Sequence, residues 1–238
     1  MPIKQNDFIE IEYTGRVKDG NIIFDTTDEA VAKAHDLPKA MYGPVVIVMG
    51  QGQLIKGLEE KLVGKEPGAY TIELTAEQAF GKKNAKLIQM IPTKKFLEQK
   101  IQPVPGLQLN IDGMTCTVRQ VTGGRAMVDF NHPLSGKDVV YDIKIIKVVN
   151  DKKEQLKAVF AMLLNINDPG ISIDGSKAKI TLKQELPAQI IPELQKKLKE
   201  LTGLDADIAL PEKKADAKAE AKDEHVGHDH AKAEKAKQ

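Results

Sequence analysis

The chain of 238 residues contains no tryptophan, and aromatic residues make up only 4% of it. Hydrophobic residues still account for 41%, so the sequence can form packed cores, and these must be largely aliphatic. The single cysteine, Cys116, excludes an intramolecular disulfide and is typical of a reducing compartment. No apolar run has the length of a membrane span, and residues 1–7 do not resemble a signal sequence. We therefore expect a cytoplasmic protein with no membrane partner.

The chain also lacks an excess of either charge. It contains 35 Lys and Arg residues against 34 Asp and Glu residues, which leaves a net charge of +1. Proteins that bind nucleic acid usually present a clear positive excess to the phosphate backbone. Nucleic acid is therefore not an expected partner.

The first part of the chain shows short strand and helix patterns separated by turn signals. Alternating apolar residues predict strands, and Leu54, Leu58 and Leu62, spaced by four, predict a short helix. The spacing from Thr26 to Glu29 is that of a capping box, which predicts another short helix. The predicted strands cover residues 8–13, 22–24, 45–49, 70–75 and 141–145.

The segment before the last of these strands has its own turn signals. Asp112-Gly113 and Gly123-Gly124 predict hairpins, because both central positions of such turns need positive φ. The predicted elements are a helical turn near residues 93–99 and strands at about 107–111, 115–121 and 125–130. The segment is therefore interpreted as an inserted β-rich subdomain.

A different pattern follows the last strand. Apolar residues at helical spacing over 156–164, an Asp-Gly turn, and a helix with Pro192 in its first turn and Gly203 at its end predict a small α/β module. From residue 211 onward Ala, Lys, Glu and Asp dominate, without apolar residues at helical spacing. We expect this tail to be disordered.

Several short motifs in this order resemble the FKBP-type peptidyl-prolyl cis-trans isomerases that carry an insert-in-flap subdomain, namely the SlyD-like and long archaeal kinds. The motifs are Tyr13-Thr14-Gly15, Phe24-Asp25, Leu54-Ile55-Lys56-Gly57-Leu58-Glu59, Phe80-Gly81 and Asn131-His132-Pro133-Leu134. The resemblance implies an α+β fold in which an antiparallel sheet wraps around a short helix. It divides the chain into an isomerase domain at 1–83 and 131–149, a client-binding insert at 84–130, a C-terminal α/β module at 150–210 and a charged tail at 211–238.

The resemblance also implies an apolar pocket that rotates Xaa-Pro amides and needs no cofactor. The implied pocket residues are Tyr13, Phe24, Asp25, Val45, Leu54, Ile55, Leu58, Phe80 and Tyr141. Three of them depart from the pattern of small eukaryotic members, since Leu58 replaces a Trp, Val45 a Phe and Phe80 a Tyr. These departures imply weaker binding of macrolide inhibitors rather than loss of catalysis.

The same residues also have simpler interpretations. Tyr13, Phe24 and Tyr141 could be ordinary core residues, and Asp25 could be a turn or cap carboxylate. The apolar residues of the insert could form its core or face outward to hold unfolded chains, for which flexible Met side chains are suited. They include Leu87, Ile88, Met90, Ile91 and Met114.

We interpret the chain as an isomerase and folding chaperone whose partners are unfolded or proline-containing polypeptides. The alternative is a non-enzymatic holdase or metal-handling protein on the same scaffold. In the tail, His225, His228 and His230 are candidate ligands for Ni²⁺ or Zn²⁺, although a plain solvated tail explains them equally. Because a core of about 60 residues is often marginal alone, we expect a homodimer through residues 150–210.

Overall fold

The computed structural model describes residues 1–38, 42–111 and 113–209, and three β-sheets organise this part of the chain. Its elements are β1 (Phe8–Val17), β2 (Ile23–Thr26), α1 (Glu29–Ala34), β3 (Val45–Val48), α2 (Lys56–Leu62), β4 (Gly68–Leu74), β5 (Ile88–Pro92), α3 (Thr93–Glu98), β6 (Gln108–Ile111), β7 (Met114–Thr122), β8 (Arg125–Asp129), β9 (Val139–Val148), α4 (Lys152–Leu164), β10 (Gly170–Asp174), β11 (Lys177–Thr181), α5 (Ile191–Thr202) and β12 (Asp205–Ala209). Among the described residues, no helix is both long and apolar enough to cross a membrane.

The first sheet is antiparallel and has β1 at its centre. One edge of β1 pairs first with β3 and then with β2, while its other edge pairs with β9, which in turn pairs with β4. The predicted alternation in β1 is confirmed, because Ile9 and Ile11 are fully buried. Leu58 and Leu62 of α2 are also fully buried in the core against this sheet. An antiparallel sheet around a short helix is the predicted α+β arrangement.

Helix α1 lies where the sequence predicts a helix, but its N-cap was assigned wrongly. The cap is Asp28, whose Oδ1 accepts hydrogen bonds from the main-chain N–H of Ala30 at 2.8 Å and of Val31 at 3.1 Å. The Thr26 hydroxyl instead lies 2.8 Å from the Thr14 hydroxyl across the β1–β2 pair. Asp and Thr both cap helices well, so the spacing alone did not distinguish them.

A second antiparallel sheet, ordered β5-β8-β7-β6, is formed between β4 and β9 of the first sheet. Gly123 and Gly124 have φ values of 55° and 74°, as predicted for the β7–β8 hairpin, whereas Asp112 of the other predicted turn lies outside the described residues. Strand β5 was not predicted, because its alternation covers only Ile88, Gln89 and Met90 before Ile91 and Pro92 interrupt it. The core of this sheet consists of Phe96, Cys116, Val118, Ala126 and Val128.

Most of the apolar insert residues that could have been either core or surface residues face solvent. Ile91 packs against the insert's core, but Leu87, Ile88, Met90 and Met114 are 37%, 38%, 49% and 53% exposed. A β-rich module with a core of this size leaves few interior positions for further apolar side chains. The structure therefore favours the outward-facing interpretation for four of these five residues.

The C-terminal module packs directly on the first sheet. Its strands form a third sheet, ordered β10-β11-β12, in which the unpredicted β12 runs parallel to β11. Helix α4 lies against β3, and Val159 and Phe160 share a buried cluster with Phe8 and Val48 of the first sheet. The Gln155 amide also donates a 2.8 Å hydrogen bond to a main-chain carbonyl at the end of β9. The module thus shares its core with the first sheet instead of burying only its own residues.

Candidate functional site

A cavity of about 290 Å³ opens at the end of the first sheet, between β2, α2 and residues 131–134. Residues 131–134 lead from the insert back to β9, and we call this segment the hinge of the insert. It is lined by Tyr13, Phe24, Asp25, Gln53, Leu54, Ile55, Leu58, Phe80, His132, Leu134 and Tyr141. Eight of the nine predicted pocket residues are therefore brought together. We refer to this cavity as the pocket.

The pocket depends on a glycine in β1. A Cβ atom at Gly15 would lie 2.9 Å from Phe24 Cζ and 2.9 Å from Tyr141 Cε1, closer than nonbonded carbon atoms approach. Both rings therefore rest directly on the β1 backbone. Gly15 is therefore needed for Phe24 and Tyr141 to pack against β1.

The aromatic rings of the pocket form a continuous series. Phe24 meets Tyr141 and Phe80 edge to face, with centroid distances of 5.8 Å in both pairs. Tyr13 lies 6.1 Å from Tyr141, and Phe80 stacks on the His132 imidazole at 4.8 Å. Edge-to-face pairs at these distances are favourable and restrict ring rotation. The wall of the pocket is therefore oriented before any ligand enters.

One carboxylate stands at the rim of this wall. The Tyr13 hydroxyl donates a 3.0 Å hydrogen bond to Asp25 Oδ2, and Asp25 itself is exposed. Burial, together with the nearby Asp25 charge, raises the pKa of both Tyr13 and Tyr141 well above the usual tyrosine range. Both hydroxyls thus remain protonated and able to donate hydrogen bonds.

Helix α2 supplies the floor and one side of the pocket. Leu58 is fully buried, while Leu54 and Ile55 are half-buried at the start of the helix. Ile55 is the N-cap of α2, with extended φ and ψ of −61° and 139° and no side-chain cap. Its main-chain N–H therefore belongs to the open end of a helix, where donors lack intrahelical partners.

The ninth predicted residue, Val45, is not among the residues that line the pocket. Val45 is half-buried against the core and lines a neighbouring groove between β3 and α4. Sequence analysis also missed three lining residues, Gln53, His132 and Leu134. His132 and Leu134 belong to the motif Asn131-His132-Pro133-Leu134, which contributes to the family resemblance, whereas no sequence pattern singled out Gln53.

The hinge fixes the insert next to the pocket. Asn131 Oδ1 accepts a hydrogen bond from the Asn84 main-chain N–H at 2.8 Å, and Asn131 Nδ2 donates to the Asn84 carbonyl at 3.1 Å. Asn131 in turn donates to Asp129, which is 2% exposed and accepts two hydrogen bonds from Arg119. Burial opposes ionisation of Asp129, but hydrogen bonds from Asn131 and Arg119 hold its pKa below the usual value.

A larger cavity of about 590 Å³ lies on the outer face of the first sheet and is lined mainly by polar residues. Its carboxylates already have partners, because Asp142 accepts a 2.5 Å hydrogen bond from Arg16 and Glu12 pairs with Lys144 at 3.5 Å. These ion pairs are solvated and satisfied. The smaller, preorganised pocket is therefore the better candidate for the active site.

The predicted metal ligands His225, His228 and His230 lie outside the described residues. Within residues 1–38, 42–111 and 113–209, no group of three or more His, Cys, Asp or Glu side chains has the arrangement of a metal site. The pocket geometry itself presents rings, aliphatic side chains and one carboxylate. It is suited to binding an apolar group next to a polar one.

Known proteins resemble two parts of the chain. The family model "FKBP-type peptidyl-prolyl cis-trans isomerase" matches residues 1–104, and a model described as "FKBP26, IF domain" matches residues 89–134. The short-type peptidyl-prolyl cis-trans isomerase of Methanocaldococcus jannaschii is 34% identical over 146 residues, which cover 60% of this chain and 92% of that protein.

Two bacterial relatives match over a similar length. The FKBP-type 16 kDa peptidyl-prolyl cis-trans isomerase of Escherichia coli is 28% identical over 151 residues, covering 61% of this chain and 93% of the relative. The isomerase SlyD of Vibrio cholerae is 26% identical over 157 residues, covering 62% of this chain and 69% of the relative. The similarity to these relatives thus extends over about three fifths of the chain.

Proposed function

Since the chain belongs to the FKBP-type peptidyl-prolyl cis-trans isomerases, we propose that its pocket holds the substrate proline while the insert captures the unfolded polypeptide around it. The reaction is rotation about an Xaa-Pro amide. The main support for this site is that one cavity is lined by Tyr13, Phe24, Asp25, Ile55 and Tyr141 together.

The pocket suits this rotation because of how an amide changes as it twists. The planar amide has partial double-bond character, and the barrier to rotation is about 18–20 kcal/mol. In the twisted transition state resonance is lost and the group becomes less dipolar. A dry pocket of rings and aliphatic side chains favours this state over the planar, strongly solvated one. No proton has to be transferred.

Three groups have proposed roles in orienting the amide. Leu58 and the surrounding rings hold the proline ring and exclude water. The Ile55 N–H, at the open end of α2, anchors a substrate carbonyl. Asp25, held by Tyr13, places an oriented dipole beside the rotating carbonyl. Each group acts by fixing the substrate in a conformation close to the twisted state.

The surface of the insert supports a role in capturing clients. Ile88 and Met90 are exposed on β5, which pairs with β8 on one edge and with no described strand on the other. An edge strand offers main-chain hydrogen bonds to an extended chain, and adjacent apolar side chains add affinity with little sequence preference. Chaperone activity is proposed on this basis.

A protease-coupled proline-peptide assay distinguishes the enzyme from the alternative of a non-enzymatic holdase. We expect the full chain to accelerate cis-trans conversion of a short Xaa-Pro peptide, and Tyr141→Ala to remove most of that acceleration. Turnover no faster than the uncatalysed rate would favour a holdase that only binds unfolded chains.

The remaining proposals concern assembly, metal and location. Homodimerisation through residues 150–210 remains a proposal. Part of the apolar surface that a second copy was expected to bury is already buried between α4 and β3. Metal binding by His225, His228 and His230 is likewise proposed from their spacing, with affinity lost below about pH 6.5 as imidazole protonates. Light scattering of the full chain tests dimerisation. Calorimetric titration of Ni²⁺ or Zn²⁺ into a chain truncated after Asp223 tests metal binding by the tail. A cytoplasmic location is supported by the single Cys116.

A further inference from the structure

A groove of about 390 Å³ runs between β3 of the isomerase domain and α4 of the C-terminal module. Its floor is apolar: β3 contributes Val46, and Ala158, Ala161 and Met162 occupy one face of α4. We refer to it as the β3–α4 groove. Neither the isomerase domain nor the module forms it alone.

The groove and the pocket share a wall. Gln53 lines both, and its Oε1 accepts a 2.7 Å hydrogen bond from the Val48 main-chain N–H, which fixes the side chain between them. His132 and Leu134, at the hinge of the insert, line another part of the pocket rim. A polypeptide whose proline lies in the pocket can therefore leave it past Gln53 and enter the groove.

The rim of the groove is charged and already paired. Glu154 accepts a 3.1 Å hydrogen bond from Lys147, and Lys157 lies 3.6 Å from Asp168. Both charged residues among the described lining of the groove, Glu154 and Lys157, are thus paired, so neither selects a charged ligand. An apolar floor with a neutralised rim fits an extended chain segment with apolar side chains.

We propose that the β3–α4 groove is a substrate subsite, which binds the apolar polypeptide segment flanking the proline on one side. The proposal rests on the proposed function of the pocket and deepens it. The C-terminal module then contributes directly to substrate binding, through Ala158, Ala161 and Met162. Short peptides do not reach it.

The first test compares a minimal Xaa-Pro tetrapeptide with two dodecapeptides that carry Leu residues on the amino or carboxyl side of the proline. NMR exchange measures kcat/KM without a protease. We expect one dodecapeptide to exceed the tetrapeptide by about fivefold or more, the order expected from burying one Leu side chain. Ala161→Glu and Ala161→Arg should both remove this advantage and leave tetrapeptide turnover unchanged.

Leu163→Glu is the matched control, because it makes the same kind of change two residues further along α4 and outside the groove. It should leave all three peptides unaffected. Dodecapeptides that are no better than the tetrapeptide in the unmodified protein would overturn the proposal. So would an Ala161 variant with an unchanged dodecapeptide advantage.

A second measurement avoids any effect of mutation on folding. In the unmodified chain with labelled Met methyl groups, saturating dodecapeptide should shift the Met162 resonance, and tetrapeptide should not. An unmoved Met162 signal would overturn the subsite. If tetrapeptide turnover is absent while Met162 still responds, the proposed catalytic function fails and the groove remains a binding site.

Discussion

In the pocket, aromatic rings pack on one another and on the β1 backbone, whereas several apolar side chains of the insert project individually into solvent. Tyr141 is 5% exposed and is fixed by Phe24 and Gly15, but Met90 is 49% exposed on an edge strand. Preorganised groups bind one defined shape, while flexible exposed ones adapt to many. The difference separates recognition of a single ring from capture of a variable chain.

Deleting the insert should have the largest effect, because it tests whether the pocket binds the proline ring while the insert captures the chain. Asn84 and Asn131 hydrogen-bond to each other, so residues 85–129 can be replaced by a short Gly linker. We expect catalysis of proline-limited protein refolding to fall by roughly a hundredfold, because capture raises the local substrate concentration. Tetrapeptide turnover, measured in parallel, should stay within about twofold. Equal refolding with and without the insert would refute its role.

Changing the pocket should have a smaller effect on refolding but affect both substrates. Asp25→Ala and Tyr141→Ala should each lower kcat/KM by about tenfold, the scale expected from losing one positioning contact of about 1.4 kcal/mol. Asp142→Ala is the control, since it removes an exposed carboxylate from the outer face of β9. Full activity of both pocket variants, with circular dichroism unchanged, would contradict the assignment.

Removing exposed apolar side chains from β5 sharpens the comparison further. Ile88→Ser with Met90→Ser should lower refolding catalysis by roughly threefold, because only part of the capture surface is lost. Peptide turnover should not change. Ile22→Ser removes a still more exposed side chain, 61% accessible, outside the insert and serves as the control. Identical losses in the two variants would show that β5 has no special role.

The smallest effect should be on the stability of the insert in acid. Because the pKa of Asp129 is lowered in the folded state, its contribution is present above the unfolded pKa of about 3.9 and is lost as pH falls through the folded value. The protection factors of amides in β7 and β8 should therefore fall below about pH 4. In Asp129→Asn this acid-dependent component should disappear, and an unchanged pH profile would exclude the carboxylate as its origin.

Local signals predicted the elements better than they predicted the site. The Gly123-Gly124 hairpin and the α5 end at Gly203 were correct because backbone conformation at those residues is set locally. Strand β5 was missed because its alternation lasts only three residues before Ile91 and Pro92 interrupt it. Val45 does not line the pocket, and a strand of near-continuous apolar residues does not reveal which face meets it. Gln53 is positioned by a main-chain partner that no sequence pattern identifies.

The pairing of β1 with β9 has a consequence for how the protein is made. Thr14 pairs with Asp142, so the central strand of the isomerase domain cannot pair fully until about three fifths of the chain has been synthesised. Strands β6, β7 and β8 of the insert are neighbours in sequence, and their pairing closes only short loops. We expect pulsed hydrogen exchange during refolding to protect β7 and β8 before β1 and β9, and the reverse order would refute this. The insert then forms while its own isomerase domain is still an unfolded chain.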